Sequence, residues 1–249
     1  MWPRIIPSLL LCGGRLVKGR RFAEYQDAGR PDTTARAHNA QGADELLLLD
    51  IQGWRSEEGP DVAAIRQVAS ECYMPLTVGG GVDSLDKAHR VMDAGADKIC
   101  LTAPALESPD LIEKLAYTYG SQAVVLGVDV CRVDGTLALY DHRTRQVLVR
   151  DPLAWIDAGI GRGAGEIRLM SVEREGGRQG MDIDLLTRVL ERVQVPVILE
   201  GGAGAFEHVA EAIKAGASGV GLGALLVFSD ANIVKIKRFL ANSGLELRL

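Results

Sequence analysis

The sequence is poor in the residues that mark several classes of protein. Aromatic residues make up only 5% of its 249 residues, and it contains four cysteines and four histidines. The cysteines form no C-x-x-C pair, and the histidines are scattered along the chain. We therefore exclude a disulfide-rich scaffold and predict reduced thiols, no metal site and no cofactor.

The sequence also lacks an excess of positive charge and a long apolar run. Its 28 Lys and Arg against 33 Asp and Glu give a net charge of -5, which disfavours nucleic acid or an anionic membrane surface as a partner. No apolar stretch approaches the roughly 20 residues of a membrane span, and Met1–Arg4 does not resemble a signal peptide. We expect a cytoplasmic protein.

What the sequence does contain is an internal repeat. A shift of 121 residues aligns residues 42–108 with 163–229 without a gap, placing Gly80-Gly81 on Gly201-Gly202 and Ala94-Gly95-Ala96 on Ala215-Gly216-Ala217. Self-similarity of this kind decides the architecture before any local assignment. The chain is therefore predicted to consist of two halves with one plan.

Short apolar runs alternate with helical patterns along both halves, which favours parallel strands joined by crossover helices. We predict a single (βα)8 barrel domain over residues 1–249, built from two duplicated half-barrels; an open doubly wound sheet is the alternative. The eight predicted strands are Ile5–Leu11, Glu45–Asp50, Leu76–Val78, Lys98–Thr102, Ala123–Val130, Glu166–Ser171, Val197–Glu200 and Gly219–Leu222.

Glycine clusters follow two equivalent predicted strands, at Gly79-Gly80-Gly81 and Gly201-Gly202-Ala203-Gly204. Free backbone N–H groups before a helix bind phosphate, so Gly80, Gly81, Gly201 and Gly202 are candidates for two phosphate sites. The alternative is that these glycines only form tight turns. Their recurrence at equivalent positions favours ligand binding.

Three charged residues are further candidates at the same end of the predicted barrel, where barrel enzymes carry their active sites. Asp129 ends an apolar strand, where an uncompensated carboxylate is costly, so we predict a catalytic role. Asp50 is a candidate for substrate binding, although either aspartate could instead cap a loop. Lys18, in the glycine-rich segment Cys12–Arg30, is a candidate lid residue over an anionic ligand. Glu173 and Glu175 are expected to be solvated.

Nine short motifs together resemble the HisF family, the cyclase subunits of imidazole glycerol phosphate synthase, in one register from Arg4 to Leu249. The resemblance implies a (βα)8 barrel that receives ammonia through its interior from a HisH-type glutaminase in a heterodimer. In that family, ammonia attacks a doubly phosphorylated aminoimidazole carboxamide precursor, forming imidazole glycerol phosphate for histidine biosynthesis. The motifs are Arg4–Pro7, Leu16–Gly19, Gly42–Leu46, Leu49–Ile51, Pro75–Gly81, Gly95–Lys98, Gly120–Gln122, Gly165–Ile167 and Gly201–Gly204.

The resemblance also assigns residues at the strand starts. It implies that Arg4, Glu45, Lys98 and Glu166 form a ring that gates the ammonia channel, and that Asp97 lies at the glutaminase interface. Four charges at the mouth of an apolar barrel persist only if they are paired. A purely structural ring of ion pairs is the alternative.

At the strand ends the sequence departs from the family. Leu10 stands where HisF has a catalytic Asp, and polar side chains around the substrate are replaced by Thr102, Ala103, Met170, Glu200 and Leu225. Loss of a general acid or base typically costs about 10²- to 10⁴-fold in rate, and a carboxylate at Glu200 is expected to repel a phosphate. Residues 6–11 and 69–76 look like HisF paralogues encoded with surface-polysaccharide genes, which act in acetamidino-sugar synthesis. Three functions stay open: the classical cyclase, sugar amidination, or a noncatalytic barrel that stimulates a glutaminase.

Overall fold

Eight parallel strands close into a barrel in the computed structural model, which describes residues 2–247; Met1, Arg248 and Leu249 of the predicted domain lie outside the described residues. These strands are β1 (Arg4–Cys12), β4 (Leu46–Asp50), β5 (Leu76–Gly79), β6 (Lys98–Leu101), β7 (Val124–Val133), β10 (Glu166–Ser171), β11 (Val197–Glu200) and β12 (Gly219–Leu222). Their order around the barrel is β1-β4-β5-β6-β7-β10-β11-β12, with β12 pairing with β1. The (βα)8 barrel is therefore confirmed, and the open sheet is excluded.

Helices cover the outside of the barrel between consecutive strands. None of those within residues 2–247 is long and apolar enough to cross a membrane. Two further short segments, Gly53–Arg55 and Ser121–Ala123, are 3₁₀ turns. The helices are α1 (Pro31–Ala40), α2 (Val62–Ala69), α3 (Leu85–Asp93), α4 (Ala103–Glu107), α5 (Asp110–Tyr119), α6 (Pro152–Gly161), α7 (Ile183–Leu190), α8 (Phe206–Lys214), α9 (Ala224–Val227) and α10 (Ile233–Asn242).

Four additional strands, absent from the sequence prediction, lie beyond the ends of β1 and β7. The segment after β1 was predicted as a glycine-rich loop, but it forms the antiparallel strands β2 (Arg15–Arg20) and β3 (Ala23–Gly29). After β7, the strands β8 (Thr136–Asp141) and β9 (Gln146–Leu148) extend the sheet. Strand β3 is largely exposed and has no apolar face, so alternating hydrophobicity could not reveal it.

The predicted duplication is visible in equivalent local structure. Helices α3 and α8 begin 121 residues apart, as do strands β6 and β12. Gly95 and Gly216, which follow these helices, both have positive φ, at 107° and 106°. Asp61 and Asp182 cap α2 and α7 in the same way, each accepting a hydrogen bond from the backbone N–H three residues later.

Two clusters of buried apolar side chains form the core of the barrel, and a third, smaller one, containing Cys131, Ala138 and Val172, lies beside the β7–β8 pair. Most buried apolar side chains lie between the strands and the surrounding helices. A smaller group fills one interior layer, so the charged strand starts and the strand ends are separated by apolar side chains. That interior layer contains Ile6, Leu47, Cys100, Val125 and Ile198, with Leu49 packed against it.

Asp182 links the α7 cap to the sheet. Its carboxylate accepts hydrogen bonds from Leu185 N–H and Ser171 Oγ, both at 3.1 Å, and from the Arg132 guanidinium. Burial raises the pKa of Asp182, but these hydrogen bonds outweigh it and hold the pKa below its usual value. The ionised form therefore stabilises the fold above the unfolded pKa of about 3.9, and this contribution is lost as pH falls through the folded pKa.

We expect Asp182→Asn to lower the free energy of unfolding by about 1.5–3 kcal/mol at pH 7, the value of hydrogen bonds to a charged group. The difference from wild type should shrink below about pH 4, where the unfolded carboxylate also protonates. Denaturant unfolding across this pH range measures it. The matched control is Asp184→Asn, an exposed neighbour that contacts the same arginine at 3.3 Å and is expected to cost less than about 0.5 kcal/mol. Equal losses in the two variants would contradict the assignment.

Candidate active site

One cavity of about 330 Å³ opens at the carboxyl ends of the barrel strands, and we call it the upper pocket. Leu10, which stands where HisF has a catalytic Asp, lines this pocket. The structure therefore brings together every candidate that the sequence placed at the strand ends: Lys18, Asp50, Gly80, Gly81, Asp129, Gly201 and Gly202.

Asp129 lies near the floor of the upper pocket on β7 and is only 3% exposed. An uncompensated carboxylate would be costly here, and two partners compensate Asp129. Its Oδ1 lies 3.3 Å from Nη1 of Arg168, and its Oδ2 lies 3.1 Å from Nδ1 of His142. A buried carboxylate held by a cation and an imidazole is a common arrangement for proton transfer.

Arg168 also forms an ion pair with Glu200, so Asp129, Arg168 and Glu200 constitute one central charge cluster. Arg168 is 4% and Glu200 1% exposed. Although burial opposes it, the carboxylates of Glu200 and Asp129 raise the pKa of Arg168. The expected repulsion between Glu200 and a phosphate is weakened, because the arginine partly neutralises this carboxylate.

Glu200 retains unused hydrogen-bonding capacity. Within residues 2–247, neither of its carboxylate oxygens receives a well-aligned hydrogen bond, and Nε of Arg168 donates none. Gly221 provides the space for this side chain, since a Cβ there would lie 2.2 Å from Glu200 Oε1. Sequence reasoning named Glu200 only as a replacement and missed Arg168, although alternation places Arg168 on the same face of β10 as Glu166.

Lys18 lines the upper pocket and is buried, and its role as a lid residue over an anionic ligand stays a prediction. It lies on β2, 8% exposed, and forms an ion pair with Glu175. Glu175 was expected to be solvated but is 3% exposed, and its backbone and carboxylate also accept hydrogen bonds from the N–H groups of Arg21 and Phe22. The β2–β3 hairpin is thus attached to the segment between β10 and α7.

Asp50 uses its carboxylate to organise the loop that follows β4. Its oxygens accept the N–H groups of Gln52, Gly53 and Asp61 at 2.9–3.0 Å. Burial raises the pKa of Asp50, and these three donors offset this only in part. These contacts match the loop-capping alternative, and substrate contact by Asp50 stays a prediction.

Close packing requires glycine in both clusters, in the same way in the two halves of the barrel. Gly80 and Gly202 have positive φ, at 100° and 92°, and a Cβ at either would lie 2.0 Å from the carbonyl oxygen of Asp50 or Gly180. Any other residue would therefore push apart two loops. The glycines also line the upper pocket. Phosphate binding there stays a prediction.

Arg4, Glu45, Lys98 and Glu166 form a closed ring of ion pairs at the strand starts, which we call the basal ring. Lys98 Nζ lies 3.0 Å from Glu45 and 2.8 Å from Glu166, and Arg4 contacts the same two carboxylates. Glu45 and Glu166 are 2% and 5% exposed. The four residues are thus mutually paired, as the sequence required for charges in this position.

Asp97 is exposed beside the basal ring. Its carboxylate accepts the N–H of Leu76 at 2.8 Å and so fixes the start of β5. It lies at the end of the barrel opposite the upper pocket, where a glutaminase would have to dock to feed the basal ring. Contact with a partner stays a prediction.

The described part of the chain shows no cluster of metal-ligating side chains near this site. No three His, Cys, Asp or Glu side chains of residues 2–247 cluster as metal ligands would. Burial raises the pKa of Cys100, below the upper pocket, to about 12, so its thiol stays protonated. The polar side chains that line the upper pocket include carboxylates, arginines and a histidine.

A closed (βα)8 barrel with an acid–base cluster in a cavity at its carboxyl end defines a barrel enzyme. The model of the family described as "Histidine biosynthesis protein" matches residues 4–232, and the chain belongs to this family. Imidazole glycerol phosphate synthase subunit HisF of Thermobifida fusca is 39% identical over 251 residues, covering 98% of both chains. The HisF subunits of Exiguobacterium sibiricum and Campylobacter concisus are each 37% identical, covering 98% and 99% of this chain and 98% of their own.

Proposed function

We propose that this chain is a HisF-like synthase subunit that receives ammonia from a HisH-type glutaminase and adds it to an acceptor in the upper pocket. One observation carries the proposal: a fully paired basal ring with buried carboxylates lies at one end of the barrel, and an acid–base cavity lies at the other. Relatives named HisF over nearly the whole length support the reaction class, a lyase and cyclase step.

The proposed route between the two ends crosses apolar and then charged side chains. Ammonia passing the basal ring meets the apolar interior layer of Ile6, Cys100 and Val125 and then the central charge cluster. A neutral nitrogen nucleophile crosses an apolar layer far more readily than an ammonium ion, because an unpaired charge is costly there. This separation keeps ammonia unprotonated until it reaches the acceptor.

The lining of the upper pocket favours an acceptor other than the classical precursor. Leu10 cannot move a proton, and Arg168 and Glu200 occupy the floor. We infer an acetamidino-sugar pathway of surface-polysaccharide synthesis as the physiological setting, with the classical cyclase reaction as the second candidate, favoured by the relatives. Expression in a histidine auxotroph that lacks HisF separates the cyclase from the other functions: growth without histidine supports the cyclase, and no growth contradicts it.

We expect Lys98→Met to lower glutamine-driven amination by about tenfold, equivalent to roughly 1.4 kcal/mol, while amination driven by added ammonium chloride stays within about twofold. Without Lys98, Arg4 alone faces two carboxylates, so the basal ring becomes net negative and rearranges. Rates with the two nitrogen sources measure the effect in the complex with the glutaminase. Lys87→Met, on an exposed ion pair of α3, is the matched control.

A parallel loss with both nitrogen sources would contradict ammonia passage through the basal ring. A third function, a noncatalytic barrel that only stimulates the glutaminase, predicts faster glutamine hydrolysis by wild type with no aminated product. The buried acid–base cluster disfavours this function, since a scaffold has no use for one.

A further inference from the structure

His142 lies at the end of β8 and lines the upper pocket, 28% exposed. Its Nδ1 lies 3.1 Å from Oδ2 of Asp129. We propose that His142 and Asp129 form a proton-accepting dyad in which Nε2 of His142 is the catalytic base. This inference rests on the proposed function and names the group that replaces the acid missing at Leu10.

The hydrogen bond to Asp129 fixes the tautomer of the ring. The other oxygen of this carboxylate faces the Arg168 guanidinium, and a carboxylate held in this way only accepts hydrogen bonds. Nδ1 of His142 therefore carries the ring proton. In a neutral imidazole, the remaining nitrogen then offers a lone pair, so Nε2 is the atom able to take a proton.

Buried charged groups lie at the Asp129 side of the dyad. Asp129, Arg168 and Glu200 carry a formal charge of -1 together, and a proton on His142 brings the group to zero. The neighbouring Arg143 is engaged by Asp141 at 2.9 Å and by Glu107 at 2.8 Å, so it adds little repulsion. Preorganised charge of this kind stabilises a transition state without rearrangement.

Aromatic side chains from the β2–β3 hairpin and from β8 pack near the imidazole ring of His142. Phe22 of the β2–β3 turn lies 6.3 Å from the His142 ring, tilted at 59°, and stacks on Tyr140 at 5.9 Å. The Phe22 N–H is hydrogen bonded to Glu175, which also pairs with Lys18. The Lys18–Glu175 pair thus acts indirectly, by holding the hairpin that packs against the base.

With an acceptor that has an electrophilic carbonyl carbon, ammonia addition followed by two proton transfers gives a C=N bond and water. The ammonia lone pair forms the N–C bond while the C=O π electrons move to oxygen. His142 Nε2 takes one proton from the new ammonium nitrogen and returns it to that oxygen, which leaves as water on a second such transfer when the C=N bond forms. Nothing is oxidised or reduced, and the imidazole is regenerated.

The tautomer is measured directly by ¹⁵N NMR of the full-length, labelled wild-type chain. We expect a protonated Nδ1 and a free Nε2 at His142. His208 is the internal control with the opposite tautomer, because its Nδ1 accepts the backbone N–H of Gly204 at 3.2 Å. A neutral His142 with its proton on Nε2 would overturn the dyad whatever the acceptor is.

The catalytic role is measured with ammonium chloride and the doubly phosphorylated aminoimidazole carboxamide precursor. We expect His142→Gln to lower kcat about 10²-fold or more with KM within about threefold, and added imidazole to restore part of the kcat of His142→Ala. His89→Gln, on the exposed face of α3, should match wild type. Undiminished turnover of His142→Gln would show that His142 is not the catalytic base. Failure of wild type itself to turn over this precursor rejects only the cyclase reaction, and the NMR result then decides the dyad.

Discussion

Asp129→Asn is expected to lower ammonia-driven and glutamine-driven amination by about 10²- to 10⁴-fold, the usual range for losing a positioned acid–base group. The substitution preserves shape but removes the charge that holds Arg168 and orients His142. An imidazole without its carboxylate loses both the required tautomer and the stabilisation of its protonated form. Rates with the two nitrogen sources, using the acceptor that wild type converts, measure the loss.

Glutaminase docking should survive in the Asp129→Asn variant, because Asp129 lies at the opposite end of the barrel from the basal ring. Size-exclusion chromatography with the HisH-type partner, together with the glutaminase rate, tests this. The matched control is Asp83→Asn, which removes an exposed carboxylate just before α3 that pairs with Lys87. Full turnover in Asp129→Asn would remove this aspartate from the mechanism. Loss of docking would show that the substitution disturbs the whole barrel.

The barrel itself could be predicted from the sequence because its signals are local and repeated. Each of the eight predicted barrel strands agrees with an observed strand to within three residues at either end, since apolar runs bounded by glycine or polar residues mark buried parallel strands. The 121-residue repeat then limited the topology. The two hairpins lack such signals: their strands lie outside the barrel and are partly polar.

Most of the predicted site residues lie at strand ends, where barrel enzymes carry their active sites. Asp129 and the two glycine pairs met that condition, and the structure places them in one cavity. Lys18 and Glu175 are 157 residues apart and meet only because a hairpin folds back over the barrel. No local pattern encodes that contact. His142 meets Asp129 across only 13 residues, because β8 folds back antiparallel to β7, and these strands were not predicted as a pair.

Arg168 is a different case, because its signal was present. Residues two apart on a strand share a face, so an arginine between Glu166 and Met170 must point into the barrel with them. Strand β10 was predicted from its apolar residues alone, so the inward-facing position of Arg168 was overlooked. The consequence is physical: a buried cation in the interior requires carboxylates nearby, and Asp129 and Glu200 are the two that the fold supplies.

Arg168→Met is expected to lower the free energy of unfolding by about 3–5 kcal/mol, the cost of leaving buried charges unpaired. Methionine fills much of the volume of the arginine stem, so the loss reports charge rather than a cavity. Both Asp129 and Glu200 then lie in the barrel interior without their cation. Chemical denaturation at pH 7 measures the loss. A cost below about 1 kcal/mol would mean that water or another cation compensates these carboxylates.

The double variant Arg168→Met/Glu200→Gln separates charge pairing from packing. Glutamine keeps the shape of Glu200 in the space left by Gly221, and Asp129 keeps its hydrogen bond to His142. If the cost of the single variant comes from unpaired charge, removing the second charge should restore about half of it or more, since a neutral replacement of a buried ion pair is often nearly as stable. Additive losses in the double variant would instead show that Arg168 stabilises the barrel by packing. Its pairing with Glu200 would then contribute little to the fold.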